Sequence, residues 1–139
     1  MPSIRYQRLA SELLPLANKF YKSQRSPMRV GRSEQVWVAQ QAEIIAACCL
    51  KPVADGHWLT ALLVAREQRQ QGIASQLLNA LRAHSQGPIW LFCAPELLSF
   101  YQRLGFAPCP ALPAELTERL LRYQRKQPLL ALAAAPQCG

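Results

Sequence analysis

Apolar runs and polar breaks alternate along this 139-residue chain with two different periods, and the change of period marks out its elements. Val36, Trp37, Val38 and Ala39 form one apolar block, residues 44–50 a second and residues 58–64 a third. Polar residues 40–43 and the Pro52 to Gly56 segment separate them. The pattern predicts an antiparallel meander of three strands. The period then becomes helical: Ile73, Ala74, Leu77, Leu78 and Leu81 share one stripe, with Gln76, Asn79 and Arg82 expected to face water. That helix runs to about His84. A Gly87-Pro88 turn, a strand over 89–93 and a helix from Pro95 come next. Helices on either side of strand 89–93 make its pairing with strand 59–64 parallel, by the right-handed crossover rule.

The ends are read in the same way. Residues 3–8 give a short first strand, and Leu13, Leu16, Ala17 and Phe20 give a helix whose start is blurred by Pro15. After Phe106, Pro108, Pro110 and Pro113 exclude a long central strand. Pro113 suits the first turn of a helix, on which Leu116, Leu120 and Tyr123 share a face. Arg122, Arg125 and Lys126 suit its last turn, where cations complement the dipole, and Pro128 ends it. Residues 129–133 return as a final strand and 134–139 fray. The expected fold class is therefore α/β (α+β), with helices flanking a mixed, mostly antiparallel sheet of six or seven strands.

With 50% hydrophobic residues, the chain reads as a single domain over residues 1–139 that buries roughly two thirds of its unfolded surface. No apolar run approaches the ~18 residues of a membrane span, and the N-terminus lacks a signal-peptide core. A soluble cytoplasmic protein is expected.

The segment Arg69-Gln70-Gln71-Gly72-Ile73-Ala74 carries the chemistry. A strand ending at Val64, a short polar link and a glycine opening a helix leave several backbone N–H groups unpaired at one spot, where the helix dipole favours an anion. Gly72 permits close approach of a ligand and Ala74 leaves room for it. Neither the eight-residue Walker pattern nor the three-glycine dinucleotide fingerprint is present.

This segment is similar to the pyrophosphate loop of the GCN5-related N-acetyltransferase (GNAT) family, Arg/Gln-x-x-Gly-x-Gly/Ala, which Arg69, Gly72 and Ala74 match. About thirty residues on, Phe100-Tyr101-Gln102-Arg103-Leu104-Gly105-Phe106 resembles the family's aromatic-Tyr-x-x-x-Gly-Phe. The resemblance covers roughly residues 35–106 in order and spacing. On spacing alone Gly105 is a helix C-cap, and Tyr101 lies on an apolar stripe with Leu97, Phe100 and Leu104.

The resemblance implies an acetyl-coenzyme A-dependent N-acetyltransferase of GNAT-like acyl-CoA N-acyltransferase fold, in which an amine attacks the thioester carbonyl directly. Arg69, Gln70, Gln71, Gly72, Ile73 and Ala74 would hold the cosubstrate's pyrophosphate. Leu62, Leu63 and Val64, splayed from strand 89–93, would offer backbone hydrogen bonds to the pantetheine arm and an N–H to the oxyanion. Tyr101 would be the general acid: a phenol of ordinary pKa about 10 stays protonated at neutral pH and can donate to a thiolate. Two positions depart from the family. Strand 58–64 carries no acid to serve as general base, which leaves His57, Glu43 or a water relay. Ala94 stands where relatives often have the asparagine that contacts pantetheine.

Charge bears on the acceptor. Residues 1–32 carry seven basic side chains against Glu12, a net +6 of the chain's +8, while residues 33–112 balance at five and five. Arg25, Arg29 and Arg32 lie in a stretch broken by Pro27 and Gly31, and point to an acceptor with a negative group beside its amine. A small-molecule amine or a protein amino group is expected as acceptor, and a homodimer stays open. A nucleic-acid partner is disfavoured, since no helix-turn-helix, zinc or RNP-type pattern accompanies the basic residues. Cys48, Cys49, Cys93, Cys109 and Cys138 lack C-x-x-C or metal-ligand spacing and read as reduced thiols, with no metal expected. The alternative function is an acyl-coenzyme A-binding regulatory or sensor protein of the same fold that has lost turnover.

Overall fold

In the computed structural model, which describes residues 3–134, strands β1 (Arg5–Arg8), β2 (Gln35–Gln40), β3 (Ile44–Val53) and β4 (Gly56–Val64) form an antiparallel meander. Apolar runs with polar breaks produce β2 to β4, as expected, and β1 adds antiparallel to β2. The second turn is tighter than the polar break implied: β3 continues through Pro52 and Val53, and only Ala54 and Asp55 lie between the strands. Pro52 is tolerated because β2 ends opposite Leu50, so its missing N–H disrupts no ladder on that side.

From β4 the chain crosses through helix α2 (Ile73–His84) to β5 (Ile89–Cys93), which pairs parallel with β4. A 3-10 turn leads into helix α3 (Leu98–Arg103). Strand β6 (Ala107–Pro108), helix α4 (Ala114–Gln124) and strand β7 (Leu130–Ala134) complete a seven-stranded sheet in the order β1-β2-β3-β4-β5-β7-β6. The prolines act as predicted, keeping β6 to two residues at the sheet edge. Of the segment 134–139 expected to fray, Ala134 is instead a buried residue of β7, and the rest, Cys138 included, lies outside the described residues.

Alternation along the strands divides the core between the two sheet faces. Cys48, Leu50, Leu59 and Leu91 meet Leu77, Leu78 and Leu81 of α2 and Tyr101 of α3 on one face. On the other, Val36, Val38, Ala47 and Cys49 meet Ala17, Phe20 and Tyr21 of helix α1 (Leu14–Ser23), and Trp58 and Trp90 meet Leu116 of α4. Three side chains depart from the helical-wheel expectation. Leu13 and Leu16 are exposed, because α1 starts at Leu14 and turns Ala17, Phe20 and Tyr21 inward. Arg82 is half-buried rather than water-facing: it donates to the Leu104 carbonyl and lies 5.5 Å over the Phe106 ring.

Two irregularities in β4 open space on either side of the strand. Ala47 opposes Leu63 while Cys49 opposes Thr60, so Ala61 and Leu62 together oppose Cys48. This is a β-bulge, with Ala61 at φ 57°. In addition, β4 and β5 pair only at His57–Ile89 and Trp58–Trp90, and beyond those pairs the strands separate.

Candidate functional site

The β4 to α2 connection builds a pocket of backbone donors. Gly72 caps α2 in the left-handed region at φ 76°, where a side chain is disfavoured, and Gln70 shares that region at φ 66°. The first intrahelical bond is from the Gln76 N–H to the Gly72 carbonyl, and no side chain caps the helix, so the N–H groups of Ile73, Ala74 and Ser75 lack intrahelical partners. A Cβ at Gly72 would meet nothing within 4 Å, so the loop borders open space. Arg69 donates from Nε to the Val64 carbonyl at 3.2 Å, tying the loop to the strand end.

Beside this loop lies a cavity of about 540 Å³ lined by residues 62–64, 68–70 and 72–75 with Leu97, Phe100 and Tyr101. It brings together Leu62, Leu63, Val64, Arg69, Gln70, Gly72, Ile73, Ala74 and Tyr101, which are far apart in the chain. Gln71 does not line it. Gln68, Ser75, Leu97 and Phe100 line it without having been expected. Ser75 was detectable in principle, as a polar residue at the third position of α2. The site combines anion-favouring N–H groups at one end, an unpaired strand edge along β4 and a phenol at the other side. An elongate ligand with an anionic end and an apolar arm fits that arrangement.

Tyr101 is held by the end of its own helix. Gly105, at φ 92°, lies just past the end of α3 in the left-handed conformation. Its N–H bonds the Gln102 carbonyl at 3.1 Å and the Phe106 N–H bonds the Tyr101 carbonyl at 3.1 Å, a Schellman closure. The Tyr101 ring packs edge-on against Phe100 and Phe106. Burial, with the Cys93 and Cys48 thiols nearby, pushes its phenol up to about 12, so it is fully protonated at neutral pH.

Neither candidate base reaches this cavity. His57 is half-buried at the opposite end of β4, paired with Ile89, and burial and Arg8 hold its pKa below the ordinary imidazole value. Glu43 is an exposed turn residue beside a separate cavity against α1. Cys48 and Cys93 are buried, and burial raises both thiols, consistent with small hydrophobes rather than nucleophiles. Of the three N-terminal arginines, Arg29 lines the cavity between α4 and the segment after α1, where Arg119 joins it and Arg25 and Arg32 do not.

A family model described as "Acetyltransferase (GNAT) domain" matches residues 32–108. Solved structures agree over nearly the whole chain. GCN5 from Tetrahymena superposes with a TM-score of 0.70 at 13% identity, covering 96% of each chain. The ribosomal-protein-S18-alanine N-acetyltransferase from Escherichia coli gives 0.65 at 16% identity, covering 99% of this chain and 96% of that one. N-acetylglutamate synthase from Neisseria gonorrhoeae, complexed with coenzyme A and N-acetyl-glutamate, gives 0.65 at 15% identity; 99% of this chain is covered, and 36% of that larger one. No curated protein matches the chain.

Proposed function

Because the chain belongs to the GNAT acetyltransferase family, whose members draw on acetyl-coenzyme A, we propose that it acetylates a primary amine by direct transfer. The observation that carries the reading is the cavity shared by the α2 N-terminus, the free edge of β4 and Tyr101. In the structural relatives, the acceptors range from the alanine of ribosomal protein S18 to glutamate, and here too a small amine or a protein amino group is the acceptor class.

Bound acetyl-coenzyme A supplies a thioester carbonyl; the acetyl group exchanges its C–S bond for a C–N bond while the amine loses one proton and the thiolate gains one. The loop from Arg69 to Ala74 holds the pyrophosphate through the N–H groups of Ile73 and Ala74, with the Arg69 guanidinium adding positive charge. Backbone groups of Leu62, Leu63 and Val64 that β5 leaves unpaired hold the pantetheine arm and direct an N–H toward the carbonyl oxygen. Their apolar side chains do not oppose this, since the backbone does the binding.

Tyr101 gives its Oη proton to the departing sulfur. Raised to about 12 by burial, the phenol carries its proton throughout the neutral range, and the solvent that takes up the amine's proton returns one to Tyr101 after transfer. The amine's proton leaves to water, since His57 and Glu43 lie outside the cavity. Retention of Tyr101 favours turnover over a sensor that only binds.

Thermal unfolding with acetyl-coenzyme A tests the reading. Ligand at a hundredfold excess over Kd stabilises by about 2.7 kcal/mol. The wild type should show the corresponding melting shift, and Gly72→Glu, which adds bulk and negative charge at the loop, should not. No shift in the wild type at millimolar ligand removes the acetyltransferase and sensor readings together.

A further inference from the structure

A second cavity, of about 440 Å³, lies on the α1 and α4 face of the sheet, lined by Leu59, Thr60 and Ala61 of β4 and Phe92 of β5. These residues come after the last parallel pair, Trp58–Trp90, so the cavity sits over the same separation of strands that the Tyr101 cavity borders from the other side. We propose that it takes an amino acid with an apolar side chain, its carboxylate held by Arg29 and Arg119 and its amine directed toward the strand gap. The inference rests on the acetyl-transfer reading and names its acceptor.

Two charged residues line the cavity, and both are arginines. Arg29 comes from the exposed segment after α1 and Arg119 from α4; among the described residues no carboxylate or histidine joins them in the lining. Arg119 is fixed by stacking, its guanidinium carbon 4.7 Å over the Trp58 ring. Its acidic neighbour, Glu115, is 3.7 Å away, half exposed, and shared with Lys51 at 3.7 Å, so the pair neutralises little of its charge. The two guanidinium groups are the only charged groups in the lining among the described residues, and arginine's planar fork suits an entering carboxylate.

The remaining lining selects among carboxylates. Met28, Phe92, Tyr123 and Leu129 give an apolar wall for a side chain, and a volume of this order suits a small molecule. A polyamine would meet two cations and no counter-charge. Arg25 and Arg32, which the charge distribution grouped with Arg29, do not line the cavity.

The test is calorimetric titration of the wild type, with and without acetyl-coenzyme A, by L-phenylalanine, L-leucine, their amides and putrescine, followed by thiol release with the same amines. The acids should bind and turn over at least about tenfold better than the amides. Arg29→Gln and Arg119→Gln should raise KM for the acids by about ten- to a hundredfold, the scale of a charge-assisted hydrogen bond, and leave KM for acetyl-coenzyme A unchanged. Arg32→Gln should match the wild type. Should Arg119→Gln unfold, Arg29→Gln, at an exposed position, and the wild-type acid-to-amide ratio still decide. Amides or putrescine served as well as the acids overturn this inference alone; absence of an acetyl-coenzyme A melting shift overturns the transfer reading beneath it.

Discussion

The Tyr21 hydroxyl donates a 2.7 Å hydrogen bond to the carbonyl of Ala61, forty residues away, at the point where β4 bulges. Ala61 is at φ 57°, a conformation that costs a non-glycine residue about 1 kcal/mol or more and persists only when its surroundings impose it. The fully buried Tyr21 is part of that surrounding, so α1 sets the geometry of the strand that borders both cavities.

Tyr21→Phe should therefore destabilise the protein by about 0.5–1.5 kcal/mol, the net worth of a part-buried hydrogen bond. Urea unfolding measures it. Activity should also fall, through KM for both reactants, because the bulge relaxes. Unchanged stability together with unchanged KM values would mean that the bulge holds without the hydroxyl.

Alkaline pH should weaken the fold. Burial raises Tyr101 from 10.0 to about 12, and burial with Glu34 raises Cys49 from 9.0 to about 11. Both groups hold their protons more tightly when folded, so their contribution is complete below about pH 9 and is lost as pH rises toward 12. Urea midpoints should fall steadily between pH 9 and 11. The kcat profile should show no alkaline loss from Tyr101 below pH 10; a stability that rises over this range would contradict the assignment.

Much of the fold was legible because its punctuation is strong. Gly87-Pro88, Pro113 and Gly72 delimit elements whose apolar periods are clean, and α2 and β5 fall at the predicted residues. Contacts between distant segments left no such trace. A helical wheel puts Arg82 off the apolar stripe of α2 and so in water. Only the folded chain brings the Leu104 carbonyl and Phe106 ring behind it, which couples the loop helix to the helix of Tyr101. No glycine stands at Ala61 to announce a bulge, and nothing local to Tyr21 marks the distant carbonyl to which it donates. The +6 imbalance of residues 1–32 pointed to Arg25, Arg29 and Arg32 together, while cavity geometry keeps Arg29 and adds Arg119 from α4. The loop could be read from local backbone chemistry, whereas Tyr101 was singled out by the resemblance of residues 100–106 to the family's aromatic-Tyr-x-x-x-Gly-Phe.

Single-turnover and steady-state thiol release by Tyr101→Phe, with the amine that the wild type acetylates fastest, tests the central claim most directly. Phenylalanine keeps the ring contacts with Phe100 and Phe106 and removes only the proton donor. The variant should fold, give the wild-type melting shift with acetyl-coenzyme A, and lose about a hundred- to ten-thousand-fold in kcat. Equal kcat in the two proteins would contradict the account and leave Tyr101 as a core residue of the helix it closes.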